Sequence, residues 1–168
     1  MKKSVNLIII MLLSVLMFSC GSTGNKKETL KIKISPSSQT VAVGDEISYL
    51  VKVENVKDLF AVSLEIVFNG SFVELPENAL TVGSVWGNEV ISTSVQEIDR
   101  LNVAIGFMQG NSNDELEGDV TLFEFTIKGK AAGESDLFIY NLTMIDDDGE
   151  DIEDFAEIEI AGSSVTVQ

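Results

Sequence analysis

GDVTLFEFTIKGKAAGESDLFIYN, residues 118–141, alternates apolar and polar side chains on both sides of a Gly-containing turn. Period-two alternation sends successive side chains to opposite faces, so each half reads as a strand with one buried and one solvated face. The pattern recurs along the chain. LKIKIS (30–35) alternates strictly, and VAVGDEISYLVKVENV (41–56) turns at Gly44-Asp45 before a strand from about Ile47 to Val53. LFAVSLEIVFNG (59–70) buries Leu64, Ile66 and Phe68, while LNVAIGFMQG (101–110) buries Leu101, Val103, Ile105 and Phe107. AEIEIAGSSVTVQ (156–168) closes the chain. No window after residue 20 carries a helical stripe. Eight or nine short strands with Gly- and Asn-marked turns predict an all-β fold, a single β-sandwich over residues 30–168 in a Greek-key or jelly-roll arrangement.

The segment ahead of those strands has a different grammar. Lys2 and Lys3 precede a 12-residue apolar run from Leu7 to Phe18, interrupted only by Ser14, and then come Ser19, Cys20 and Gly21. A basic start, a short apolar stretch and small residues describe a secretory signal, here residues 1–19. The run is too short for a membrane-spanning helix, which takes roughly 20 residues. Cys20 with the following GSTGNKKE resembles the lipobox of bacterial lipoproteins, although Met17 takes the usual leucine position and Phe18 stands where a small residue is commoner. The resemblance implies that Cys20 becomes the first residue of the mature chain and carries a lipid. An ordinary signal peptide beside an incidental cysteine is the other reading. Residues 20–29, small and polar, read as a lipidated cysteine and flexible linker. The expected location is the cell envelope, at the outer membrane or cell surface, with the lipid as the sole membrane contact.

Charge narrows the partners. The chain has 11 basic and 27 acidic residues, a net charge of −16; removal of residues 1–19 takes away Lys2 and Lys3 and leaves −18. Such a surface repels nucleic acid, whose binding requires Lys and Arg to displace counterions. The single cysteine allows no internal disulfide, so stability must come from a packed core. Zero histidines remove the commonest general base and metal ligand. No enzyme activity and no cofactor are expected.

With these strands in place the chain resembles a cohesin domain, the family that docks dockerin-bearing proteins in cellulosomes. The resemblance spans about Lys31 to Val167. It is carried by VAVGDEISYLVKVENV, by LFAVSLEIVFNGSFVEL (59–75), and by the 118–141 stretch followed by the acidic DDDGEDIE (146–153). It implies a nine-stranded jelly roll whose partner-binding face is built from the third, fifth, sixth and eighth strands. Carried onto this sequence, the third strand presents Ala61, Ser63, Glu65 and Val67, and the sixth presents Asn102, Ala104, Gly106 and Met108. The eighth presents Phe138 and Tyr140, and the fifth runs around Ser92 to Gln96. Cohesins that bind the best-known dockerins often have Asn and Asp where this chain has Ala61 and Ser63. Ala61 cannot hydrogen-bond a partner, so binding of that dockerin class is in question. The implied partner is a protein, a dockerin-like module. The competing reading of the face has Phe138, Tyr140 and Met108 covered by a loop or by the C-terminal segment.

Two further constellations stand open. IDDDGEDIED (145–154) could gather Asp146, Asp148 and Asp151 around calcium, or form a solvated acidic hairpin loop; the EF-hand spacing fails, because Gly149 falls too early. Trp86, in TVGSVWGNEV (81–90), could stack with Tyr140 on a polysaccharide, making the domain a carbohydrate-binding module of the same fold, or it could plug the end of the sandwich. A structural or adhesion domain without dockerin binding is the remaining alternative.

Overall fold

The computed structural model describes residues 29–108, 115–152 and 157–168. The signal-peptide reading (1–19), the lipid site Cys20 and the linker up to residue 28 lie outside the described residues. Twelve strand segments occur among those described: β1 Lys31–Ser35, β2 Gln39–Val41, β3 Glu46–Leu59, β4 Ala61–Val67, β5 Val73–Glu74, β6 Leu80–Val82, β7 Val90–Gln96, β8 Arg100–Phe107, β9 Leu116–Gly129, β10 Gly133–Ile145, β11 Glu159–Ala161 and β12 Ser163–Val167. They form the expected sandwich. The count exceeds nine because short edge segments such as β5 and β6 lack the length to show a period.

One sheet runs β11-β1-β3-β9-β5, with β6 also on β9; the other runs β2-β12-β10-β4-β8-β7. All neighbours are antiparallel except β1 with β11 and β2 with β12. The alternation read from the sequence decides what goes inside. Ile32, Ile34, Tyr49, Val51, Val53, Phe123, Phe125 and Ile127 from the first sheet meet Leu64, Ile66, Leu101, Val103, Ile105, Leu137 and Ile139 from the second. Among the described residues, the core runs from Leu30 to Val167. No helix among the described residues is long and apolar enough to cross a membrane.

Tyr49 ties the sheets together. Its ring stacks on Phe125 with centroids 5.6 Å apart, and its hydroxyl donates a 2.9 Å hydrogen bond to the Ser164 carbonyl on β12 of the facing sheet. Burial disfavours the phenolate and pushes its pKa up to about 12. Below pH 10 both folded and unfolded chains hold this hydroxyl neutral. Between about 10 and 12 the unfolded chain ionises first, so stability falls as pH rises through that window. Tyr49→Phe should lower stability by about 1 kcal/mol at neutral pH through the lost hydrogen bond, and should flatten the alkaline decline. Denaturant titrations from pH 8 to 12 measure both effects.

Candidate functional site

The two sheets present different faces to solvent. On the second sheet the strand registers align outward side chains in rows across β7, β8, β4 and β10. The first row is Ile91, Gly106, Ala61 and Ile145; the second is Thr93, Ala104, Ser63 and Thr143. The third is Val95, Asn102, Glu65 and Tyr140, and the fourth is Arg100, Val67 and Phe138. Small side chains at Ala61, Ala104 and Gly106 leave a shallow apolar groove of about 260 Å³ walled by Ile91 and Ile145. The Gly106 position admits no side chain without adjustment, since a Cβ there would stand 2.8 Å from the Cβ of Ala61. Large apolar groups remain open to water: Ile91 is 61 % exposed, Val95 56 %, Tyr140 52 %, Phe138 47 % and Met108 45 %. No described loop or C-terminal segment covers Phe138, Tyr140 or Met108.

Charge on this face is sparse and internally paired. Arg100 hydrogen-bonds Asp99 at 3.2 Å and lies 3.6 Å from Glu65 and 3.7 Å from Glu97. The Asp99 bond, backed by the surrounding carboxylates, raises its guanidinium pKa further. Asn141 donates to Glu65 at 2.8 Å, and Asn102 donates to Glu97 at 3.2 Å. The opposite sheet looks outward through ion pairs instead: Lys31 with Glu159, Lys33 with Glu54, and Lys128 with Glu74. One face is dressed for water, the other for contact.

The sequence matches the cohesin-domain family over residues 31–163. The chain belongs to the cohesin family. A non-cellulosomal cohesin from the hyperthermophilic archaeon Archaeoglobus fulgidus superposes with a TM-score of 0.68 at 17% identity, covering 84% of this chain and 92% of that one. A type II cohesin from the cellulosome of Acetivibrio cellulolyticus gives 0.70 at 11% identity, with coverages of 82% and 95%. A cohesin of Clostridium thermocellum, solved in a type I cohesin–dockerin complex, gives 0.67 at 17% identity, with coverages of 84% and 100%. Comparison with curated proteins yields no match.

In this cohesin the outward positions expected on the third, sixth and eighth strands lie on one face, those of β4, β8 and β10. Thr143 and Ile145 join them, and the sequence reading missed both. Between Tyr140 and Thr143 the pairing with β4 shifts by one residue, a bulge with Asn141 in the left-handed region at φ 47°. The extra residue moves the buried positions from Leu137 and Ile139 to Leu142 and Met144. That change of phase within SDLFIYNLTM was the available signal.

Trp86 corrects the sugar-stacking expectation. It is 1 % exposed, its Nε1 donates at 2.9 Å to the Leu122 carbonyl on β9, and its ring lies 5.1 Å from that of Phe107 on β8. It is wedged between the two sheets at one end of the sandwich. Gly83, whose backbone leaves no room for a Cβ against the Thr121 carbonyl, lets the 3-10 turn Ser84–Trp86 approach closely enough to insert it. Trp86 emission should be blue-shifted and unmoved by polysaccharide, and Trp86→Ala should cost about 3–5 kcal/mol. A shift on titration with polysaccharide would contradict this burial.

Asp146, Asp148 and Asp151 likewise do not come together as calcium ligands. The Asp146 carboxylate accepts the Glu150 N–H at 2.9 Å, and its backbone closes a turn through Gly149 and Glu150. Asp151 forms an antiparallel bridge with Ile145. Among the described residues no three acidic groups are arranged to hold a metal ion. This is a hairpin loop built on backbone bonds. Beside it, half-buried Glu115 faces Asp147, Asp58 and Asp146; desolvation, then those like charges, raise its pKa. A carboxyl pKa raised by folding means stability increases as pH falls through the folded value. Glu115→Gln should therefore raise Tm at pH 7, with the advantage disappearing in acid, as thermal melts between pH 3 and 7 would record.

Proposed function

We propose that this cohesin is a non-catalytic module tethered to the cell envelope through Cys20, and that the outward face of β7, β8, β4 and β10 docks a dockerin-like protein module. The observation that carries this reading is the contrast between the faces. One sheet shows water paired lysines and glutamates, while the other shows an apolar groove with Ile91, Val95, Phe138 and Tyr140 around it. Exposed apolar surface of this extent is costly unless a partner removes it from water. Cohesins of similar fold from Clostridium thermocellum and Acetivibrio cellulolyticus were solved in complex with dockerins. The archaeal relative is described as non-cellulosomal, so the fold also serves outside that assembly.

The groove's chemistry shapes the partner. Ala61 and Ser63 offer little hydrogen bonding at its centre, so the partner brings an apolar side chain there and places its polar groups toward Asn102, Glu65 and Arg100. Basic groups on the partner would suit the surrounding negative charge and speed encounter. Polysaccharide is the weaker occupant. With Trp86 inside, the neighbouring aromatics are Phe138 and Tyr140, which meet edge-on at 64° and make no flat stacking platform.

Residues 29–168, immobilised, should capture a partner from the secreted and envelope proteins of the source organism, with dependence on calcium marking a dockerin. Ala104→Arg and Thr143→Arg place charge over the groove from positions that already carry a Cβ. Each should weaken capture about 100-fold or more while leaving Tm near the wild-type value. Lys52→Glu, on the opposite sheet, should leave capture intact. Normal capture by both arginine variants would remove the face from consideration.

A further inference from the structure

The ends of the sheets are treated unequally. Edge strands expose unpaired N–H and C=O groups, and proteins blunt them by shortening, by charge or by proline. Among the described residues, the edge strands β2, β6 and β11 span three residues each and β5 spans two, whereas the edge strand β7 runs for seven as VISTSVQ. It contains no charge, no proline and no glycine. Its pairing with β8 is continuous from Val90–Phe107 to Gln96–Leu101, with no bulge to twist it away.

The direction of its free groups follows from two bonds. The Met108 N–H donates to the Glu89 carbonyl, and the Glu97 N–H donates to the Arg100 carbonyl. In an antiparallel ladder such bonds fall on alternate residues. Ile91, Thr93 and Val95 therefore bond to β8, while Val90, Ser92, Ser94 and Gln96 turn their N–H and C=O groups to the open edge.

We infer that a second copy of this chain pairs with that edge, β7 against β7, about a two-fold axis through Thr93. The strand is nearly its own mirror about that residue: Ser92 matches Ser94, and Ile91 matches Val95. Centring on Thr93 pairs all seven residues. It makes Val90 with Gln96 and Ser92 with Ser94 the hydrogen-bonded pairs, using every free backbone group of the edge. Ile91 then lies beside the other copy's Val95 in non-bonded pairs, where side chains approach most closely. Two six-stranded sheets become one of twelve, an isologous and closed arrangement. The axis stands perpendicular to the sheet, so both grooves open on the same side.

A strand pair buries less than a standard interface, so the association is weak and concentration-dependent. Charge opposes it as well. Each chain carries −16, and Glu89 comes opposite the other copy's Glu97, with Arg100 3.7 Å from Glu97. Screening relieves this repulsion, so salt should strengthen the dimer. A basic heterologous strand on the same edge would be weakened by salt. This inference does not depend on what the groove binds.

The test uses residues 29–168, which lack Cys20. Across a non-bonded antiparallel pair the Cα atoms stand about 4.5 Å apart, within disulfide range. Thr93→Cys should therefore oxidise readily to a dimer. Val95→Cys alone should not, because its counterpart lies four residues along, roughly 13 Å away. A mixture of Ile91→Cys and Val95→Cys should give the mixed dimer. Sedimentation equilibrium should show the wild type dimerising more tightly at about 500 mM than at about 20 mM salt, and Ser94→Pro should weaken this tenfold or more. Ser94 donates nothing to β8, and a thermal melt confirms its fold. If Thr93→Cys crosslinks no better than Val95→Cys, or Ser94→Pro associates like the wild type, the inference is wrong.

Discussion

The second sheet must bury one face of every strand against the first, and β10 meets that demand only by changing phase at Asn141. Leu137 and Ile139 occupy the core on one side of the bulge, and Leu142 and Met144 do so on the other. Without the extra residue, Leu142 and Met144 would turn outward and Thr143 inward. The bulge places Thr143 and Ile145 in line with Ser63 and Ala61, which completes the apolar groove. Asn141 is suited to the task because it tolerates the left-handed conformation, and its side chain reaches Glu65. A demand of the core thus decides the composition of the outer face.

The two outward faces follow from one rule applied with different residues. Alternation requires only that every second side chain be apolar, and it leaves the outward set free. On β1, β3 and β9 that set includes Lys31, Lys33, Lys52, Glu54 and Lys128, which pair across strands or project to water. On β4 and β8 it includes Ala61, Ser63, Ala104 and Gly106, too short to shield one another. Charge gathers instead at the hairpin ends, where Arg100 holds Asp99, Glu97 and Glu65, and where Glu115 meets Asp147 and Asp58. A strongly acidic domain can thereby keep an apolar surface soluble until it is covered.

Most of this was legible from period-two alternation. The core positions of β4 and β8 follow directly from it, because that pair keeps one register throughout, and Phe138 and Tyr140 follow because both lie ahead of the bulge in β10. The cohesin resemblance rests on the same alternation in β3, β4, β9 and β10. One pair of residues escaped and two stretches stood open between two readings, each for an identifiable reason. Thr143 and Ile145 lie beyond a bulge, which a fixed period cannot see. Trp86 was ambiguous because a Gly-flanked aromatic reads alike whether its loop stands out or folds under; the Leu122 carbonyl that receives its N–H is 36 residues away in the chain. The acidic run suggested a cation site by composition, whereas the turn through Asp146, Gly149 and Glu150 is satisfied by its own backbone.

One sheet face, and not the other, is proposed to meet a protein partner. A photo-crosslinking residue placed at Thr143 in the groove, and separately at Thr126 on the opposite sheet, would test it in the source organism. A discrete adduct is expected from Thr143 and none from Thr126. Adducts from Thr126 alone, or equally from both, would contradict it.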